Sequence, residues 1–291
     1  MALQSLKPQD IVSIVQPGDI LAFSGKGNII SDLVRLATGS IVSHVGIVLN
    51  SQGWPTTTDQ PKIIESTSLG GFSGVTVTDL VTRCTYYPGL IWYLPLKPDL
   101  QKKIDPKSLD YWLLQQKGKQ YDTWGAVESA LLQWETSESW RKLVSYWPSL
   151  LQSKEAQKPI PHWFCSELAS AALQQVGVLP PSLNPDLIRP TDLVGMQIYS
   201  GTYYQVKSDG PMTTPIPEYN TSPLQSEEIF QKALTSKNPQ AISNVADTFV
   251  SLGAVGKAKE LYQRVSTLNS LKYALIGGGI VALAGILFLI L

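Results

Sequence analysis

The order of apolar and polar residues predicts a domain built from both strands and helices. Short runs rich in β-branched and aromatic residues, bounded by glycine, are typical of strands, whereas apolar residues at every third or fourth position are typical of helices. Several strands in succession predict an antiparallel sheet with helices packed against it, which is an α+β fold. The predicted strands are 18–23, 45–49, 62–66, 74–77, 90–96 and 201–206, and the predicted helices are 28–38, 108–116 and 164–177.

The pattern changes after about residue 207. Residues 208–225 are rich in proline, threonine and serine and predict a linker. Residues 226–271 contain three runs with helical spacing, which predict a stalk or a helical hairpin like one tetratricopeptide unit. Such a hairpin would serve as a platform for a protein partner. Within the first domain, 126–160 is a tryptophan-rich insertion whose aromatic residues either form a lid or pack helices over the sheet.

The last part of the chain is apolar on every face of a predicted helix. Tyr273 opens the run 273–291, which has no charged residue, and about 20 apolar helical residues span a bilayer. This run predicts a C-terminal transmembrane tail anchor, with a buried core helix as the alternative. Basic residues precede the run, and positive flanks tend to stay in the cytosol. The first domain is therefore expected at the cytosolic face of a membrane, with the bilayer as a partner.

Composition narrows the classes of function. Lysine plus arginine and aspartate plus glutamate each number 23 in 291 residues, so no excess positive charge attracts nucleic acid, and no nucleic-acid partner is expected. Two cysteines are too few for a disulfide framework, and the N-terminus lacks the basic and then apolar pattern of a signal peptide. These features predict that the first domain faces a reducing cytosol.

Two cysteines and two histidines define the candidate chemistry. Cys165 lies at a predicted helix start, where unpaired N–H groups and a partial positive charge favour the thiolate that attacks carbonyl carbon. His44 begins a strand that we expect beside this helix, and it is the candidate base. Glu65 lies in an apolar strand where a carboxylate needs a partner, and antiparallel pairing would bring it near His44. The backbone N–H of Cys165 is the expected oxyanion donor.

Other interpretations of these residues stay open. Each residue alone could be structural: a small buried thiol, a hydrogen-bonded strand histidine and a salt-bridged glutamate. Cys84 and His162 are the competing thiol and imidazole. A zinc site would need both of them to converge with Cys165 and His44, and the sequence has no clustered ligand pair elsewhere. We therefore expect no metal and no cofactor.

Short motifs around these residues resemble a known family. The sequence reads GDIL at 18–21, SHVG at 43–46 and CSEL at 165–168, with a glutamate-bearing strand at 62–66. In this order the motifs resemble the permuted papain-like amidases of the NlpC/P60 superfamily, in the YaeF/YiiX group, and more distantly the lecithin retinol acyltransferase-like proteins. The resemblance covers about residues 16–206. The tryptophan-rich insertion, the C-terminal helices and the apolar tail depart from it.

This resemblance implies a circularly permuted papain-like domain over residues 1–207, with Cys165 as nucleophile, His44 as base and Glu65 as the residue that orients His44. It implies a cysteine hydrolase or acyltransferase that cleaves or transfers the acyl group of an amide or ester through a thioester at Cys165. A lipid, an acylated protein or a peptide is the expected substrate. A non-catalytic membrane adaptor and a peptidase acting on cytosolic protein tails are the alternatives.

Overall fold

The protein divides into two compact units, Met1–Leu224 and Gln225–Leu291. The structure is a computed structural model, and it describes residues 1–25, 31, 35, 39–50, 60–69, 72–121, 162–207 and 213–270. Most of the predicted helix 28–38 and the whole insertion 126–160 lie outside these residues. The site considered below belongs entirely to the first unit.

A mixed β-sheet forms the centre of the first unit. Its strands are β1 (Ala2–Ser5), β2 (Ile20–Gly25), β3 (His44–Leu49), β4 (Lys62–Leu69), β5 (Phe72–Asp79), β6 (Gly89–Leu94) and β9 (Thr202–Lys207). They lie in the order β1-β9-β6-β2-β3-β4-β5. All neighbours pair antiparallel except β1, which lies parallel to β9 at one edge. The expectation of a purely antiparallel sheet is therefore wrong at this edge. Two further short strands, β7 (Gln120–Tyr121) and β8 (His162–Trp163), pair parallel with each other.

Helices cover the sheet and are started by local caps. The described helices of the first unit are α1 (Leu80–Tyr86), α2 (Pro98–Gln101), α3 (Pro106–Leu114), α4 (Cys165–Gln175) and α5 (Pro190–Gly195). The Asp79 carboxylate accepts from the Thr82 N–H at the start of α1, and the Asp105 carboxylate accepts from the Ser108 N–H at the start of α3. Each bond satisfies one of the N–H groups that a helix start leaves without a backbone partner.

The sheet is buried on both faces because its central strands send alternate side chains to two cores. Ile20 and Ala22 of β2 enter a core that contains α4, whereas Leu21 and Phe23 enter a core that contains α1. Successive side chains of a strand point to opposite faces, so an uninterrupted apolar strand is the pattern of a sheet covered on both sides. This arrangement brings α1 and α4 to opposite faces of the strands that carry His44 and Glu65.

The predicted linker 208–225 is packed in its described part. Ile216 and Tyr219 are buried in the first unit, and the Tyr219 ring stacks on those of Tyr199 and Tyr203. The Tyr203 hydroxyl accepts from the backbone N–H of Ile216. The described part of this segment therefore packs over the first core, and the first unit extends to Leu224.

In its described part, 225–270, the second unit is helical. Its helices are α6 (Leu224–Thr235), α7 (Pro239–Ser251) and α8, described over 255–270. Asn238 caps α7, and Pro239 occupies its first turn, as the sequence predicts. Phe230, Ile242 and Phe249 are central to a core of its own. Lys257 pairs with the buried Glu227 and lies over the Phe230 ring.

The predicted tail anchor that begins at Tyr273 lies outside the described residues. Across the part of the chain that the structure does describe, we find no helix that combines the length and the apolar character needed to cross a membrane. The expected transmembrane helix is therefore not part of the described fold. The expected membrane location was derived from that helix and is corrected with it.

Candidate active site

His44 lies at the first position of β3, and its ring is buried. In the sheet it is opposite Phe23 of β2, and the centroids of the two rings are 5.3 Å apart. Gly46, on the same face of β3, has no side chain to fill the space beside the ring. A Cβ atom at position 46 would lie 3.4 Å from Cβ of Glu65 and 2.5 Å from Cδ1 of Ile63. The glycine of the SHVG motif is thus required by the packing of β3 against β4.

Glu65 of β4 holds one nitrogen of the His44 ring. Its Oε2 lies 2.5 Å from Nε2 of His44, and the glutamate is 1% exposed. Burial raises the pKa of Glu65, but hydrogen bonds and positive charge from His44 and Arg83 outweigh burial and hold this pKa below its ordinary value. The carboxylate is therefore ionised, and it accepts the proton of Nε2.

Cys165 is the first residue of α4, after Phe164 in an extended N-cap conformation. A phenylalanine side chain cannot accept a hydrogen bond, so no cap side chain occupies the first-turn N–H groups. Glu167 instead accepts from the backbone N–H of Phe164 at 3.0 Å. The Cys165 sulfur therefore lies at the positive end of the helix dipole, in a residue that is 1% exposed.

Cys165 and His44 form a coupled pair. Burial lowers the pKa of His44, but the charge of the Cys165 thiolate, a hydrogen bond with Cys165 and the contacts with Glu65 outweigh burial and raise this pKa to about 9. Since Nε2 faces Glu65, Nδ1 is the ring nitrogen left for Cys165. The three residues singled out from the sequence thus converge: Cys165, His44 and Glu65 form one continuous chain of contacts.

Arg83 joins this chain and was not identified from the sequence. Its Nη2 donates to Oε2 of Glu65 at 2.9 Å, and its Nε lies 2.6 Å from Oε1. The Nε–H does not point along that second contact, so the contact is electrostatic and the Nη2 bond is the directional one. The sequence feature that could have indicated Arg83 was Glu65 itself, because a carboxylate in an apolar strand requires a nearby cation.

Of the two competing residues, the structure describes the side chain of Cys84 alone. Cys84 is buried in the core under α1, beside Leu80 and Ile63. His162 begins β8, and its side chain is outside the described set. Within the described ranges, no group of three or more histidine, cysteine, aspartate or glutamate residues could hold a metal ion.

Asp19 of the GDIL motif has a structural role at the other end of β2. Its carboxylate accepts from the backbone N–H groups of Gln16 and Leu96 and from the Tyr93 hydroxyl. Burial outweighs these hydrogen bonds and raises its pKa to about 6. The motif therefore fixes the turn into β2, whose opposite end carries Phe23 beside His44.

Comparison with models of known protein families finds no match, and a search of curated proteins finds no significant similarity to this chain either.

Proposed function

We propose that the first unit is a cysteine hydrolase or acyltransferase with Cys165 as nucleophile. The observation that carries this proposal is the buried His44 ring held between Cys165 and the ionised Glu65. A structural histidine would need no thiol on its second nitrogen. A nucleophilic thiol needs a neighbouring imidazole that is itself oriented by a third group.

Acylation begins with the thiolate and imidazolium pair. The sulfur of Cys165 attacks the carbonyl carbon of an amide or ester, and a carbon–sulfur bond forms. The backbone N–H groups at the start of α4 are suited to stabilise the oxyanion, because they are aimed outward from the helix end. His44 then gives the proton on Nδ1 to the leaving nitrogen or oxygen, and the bond to the leaving group breaks.

Deacylation reverses these roles. Water, or the hydroxyl or amine of an acceptor, gives a proton to Nδ1 of His44 while its oxygen or nitrogen attacks the thioester carbon. The carbon–sulfur bond breaks, and the thiolate returns beside the imidazolium. Glu65 keeps the proton of Nε2 in place during both steps, so that Nδ1 always faces the reacting atoms.

The motif order adds support of a different kind. The resemblance of SHVG and CSEL to permuted papain-like amidases includes a glutamate-bearing strand between them. That order matches the residues that meet in this site. A shared motif order is support by analogy, and it carries less weight than the contacts of His44.

The test is the detection of an acyl-enzyme on the full chain. We expect short-chain p-nitrophenyl esters to add one acyl group to Cys165, seen by intact mass and removed by neutral hydroxylamine. Cys165→Ala should abolish the adduct, and His44→Ala should reduce its rate of formation by at least about 100-fold, as is usual for loss of a general acid–base group. Cys84→Ala is the matched control and should form the adduct normally.

A failure of this test would have a defined meaning. If Cys165 and Cys84 react equally slowly with both the esters and iodoacetamide, the site lacks an activated thiolate and the proposal is wrong. Should the adduct form and persist, a panel of alcohols and amines separates acyl transfer from hydrolysis. Parallel amide and ester substrates with the same acyl group then identify the bond that the enzyme cleaves.

A further inference from the structure

We propose that Arg83 is a positioning residue of this site, acting through Glu65 on His44. This inference rests on the proposed function and deepens it. In the thiolate and imidazolium state of the proposed function, the thiolate, the imidazolium, the carboxylate and the guanidinium form an alternating series of charges that runs from α4 through β3 and β4 to α1. Arg83 ends the series on the face of the sheet opposite α4.

The contact geometry places one oxygen atom between two donors. Oε2 of Glu65 lies 2.5 Å from Nε2 of His44 and accepts from Nη2 of Arg83 at 2.9 Å. A carboxylate that rotated to satisfy His44 with its other oxygen would lose this arrangement. Arg83 therefore fixes which oxygen His44 uses, and through it the orientation of the ring.

Arg83 is itself held in place by aromatic rings. Its guanidinium carbon lies 4.7 Å from the centroid of the Tyr87 ring and 5.2 Å from that of Phe23. Contacts of this kind stabilise a cation away from water. Phe23 is also the strand neighbour of His44, so the same ring packs against two members of the polar chain, His44 and Arg83.

The charge balance explains why an arginine is needed. Glu65 is nearly inaccessible to water, and an ionised carboxylate there is costly unless it is paired. Among the described residues, the groups that act on it include His44 from β3, Arg83 from α1 and the Tyr87 phenol, and this phenol is in turn near Arg35 and Cys165. When His44 passes its proton to a leaving group, Arg83 is the cation in this set that keeps the carboxylate paired.

The primary test uses the two histidines of the chain. The full chain, labelled with ¹⁵N at histidine, gives two ring spectra, and His44→Ala identifies that of His44. In the unaltered protein we expect the proton of Nε2 to persist on both sides of the His44 titration. In Arg83→Gln we expect a mixture of the Nδ1–H and Nε2–H tautomers once the ring is neutral.

Lys62→Met is the matched control. Lys62 pairs with Asp79 across β4 and the start of α1, and its side chain is 13% exposed, as is that of Arg83. The substitution therefore removes an ion pair between the same two regions without touching Glu65. We expect its His44 spectrum to be unchanged. A ring spectrum in Arg83→Gln that matches that of Lys62→Met would overturn the proposal.

Thiol reactivity supplies a second readout. Loss of the guanidinium should raise the pKa of Glu65 and loosen its hold on His44, so iodoacetamide labelling of Cys165 should be slower in Arg83→Gln than in the unaltered protein. Arg83→Lys retains the charge and should restore most of the loss. In a Glu65→Gln background, Arg83→Gln should cause no further loss, and an additive loss would count against action through Glu65.

These outcomes separate this proposal from the proposed function. The ring spectrum reports the link from Arg83 to His44 even if Cys165 never forms an acyl-enzyme. If Arg83→Gln does not fold, the same spectrum is measured in Arg83→Lys, where a small Nδ1–H population is expected. A spectrum in Arg83→Lys identical to that of the unaltered protein would then overturn the proposal.

Discussion

At the residue scale, Gly46 matters because it leaves room for its neighbours. The His44 ring and the Glu65 carboxylate meet beside a position where any side chain would enter the space of Ile63. Ile63 is fully buried in the core under α1, so it has little freedom to withdraw. An added methyl group must therefore displace Ile63 or separate β3 from β4 locally, and a separation of these strands moves Glu65 away from His44.

The substitution Gly46→Ala is expected to lower the free energy of unfolding by about 1–3 kcal/mol, the usual cost of overpacking. It should also slow iodoacetamide labelling at Cys165, because Glu65 no longer holds His44 in place. Chemical denaturation and labelling rates check the two effects. Gly118→Ala tests the specificity of the result: position 118 has open space, though its positive φ adds backbone strain, so it should lose stability without slower labelling.

Loss of the His44 proton sets an alkaline limit to the proposed activity. Its pKa is raised from 6.5 to about 9, so the imidazolium persists below that pH and is lost as the pH rises through it. The rate of acyl-enzyme formation from an amide should therefore fall above about pH 9. The stabilisation contributed by His44 should be complete below pH 6.5 and decline up to pH 9. Melting temperatures of the unaltered chain and His44→Asn across this range check the sign: the alkaline decline should be absent in the variant.

At the scale of elements, the sequence pattern does not predict α1, and the reason is physical. Its seven residues include Val81, Thr82 and Thr85, which are β-branched and have low helix propensity. The helix exists because Asp79 caps its start and because Leu80 and Cys84 are buried beneath it. By contrast, the start of α4 was predictable, since the apolar spacing after Phe164 is regular. Because α1 was missed, Arg83 was missed with it.

Removing the cap of α1 should affect the candidate active site, because α1 carries Arg83. Asp79→Ala and Asp105→Ala each delete a cap and should each cost about 1 kcal/mol of stability. Asp79→Ala should additionally slow labelling at Cys165, because α1 carries the cation of Glu65, whereas Asp105→Ala acts on α3. Equal labelling in the two variants, at equal loss of stability, would show that the position of α1 does not control the site.

At the scale of the whole molecule, the sequence predicted most of the central sheet and the meeting of His44 with Glu65. Both follow from short runs of β-branched and other apolar residues and from the antiparallel pairing of strands that are close in sequence. The sequence did not predict β1, a short and largely exposed edge strand, or the packing of Ile216 and Tyr219 over the first core. These features depend on contacts between distant parts of the chain, which leave no periodic pattern in either partner.

The pairing of β1 with β9 has a consequence for how the protein is made. The residues of β1 align with a strand that is synthesised about two hundred residues later, with Ala2 beside Thr202. Closing so long a loop is entropically costly and slow. Until β9 arrives, Ala2–Ser5 has no strand beside it and β6 has one open side. A nascent chain halted before residue 202 therefore carries His44 on an unfinished sheet and Cys165 on the helix that packs against it, so assembly of the thiol site should be among the late events of its biosynthesis.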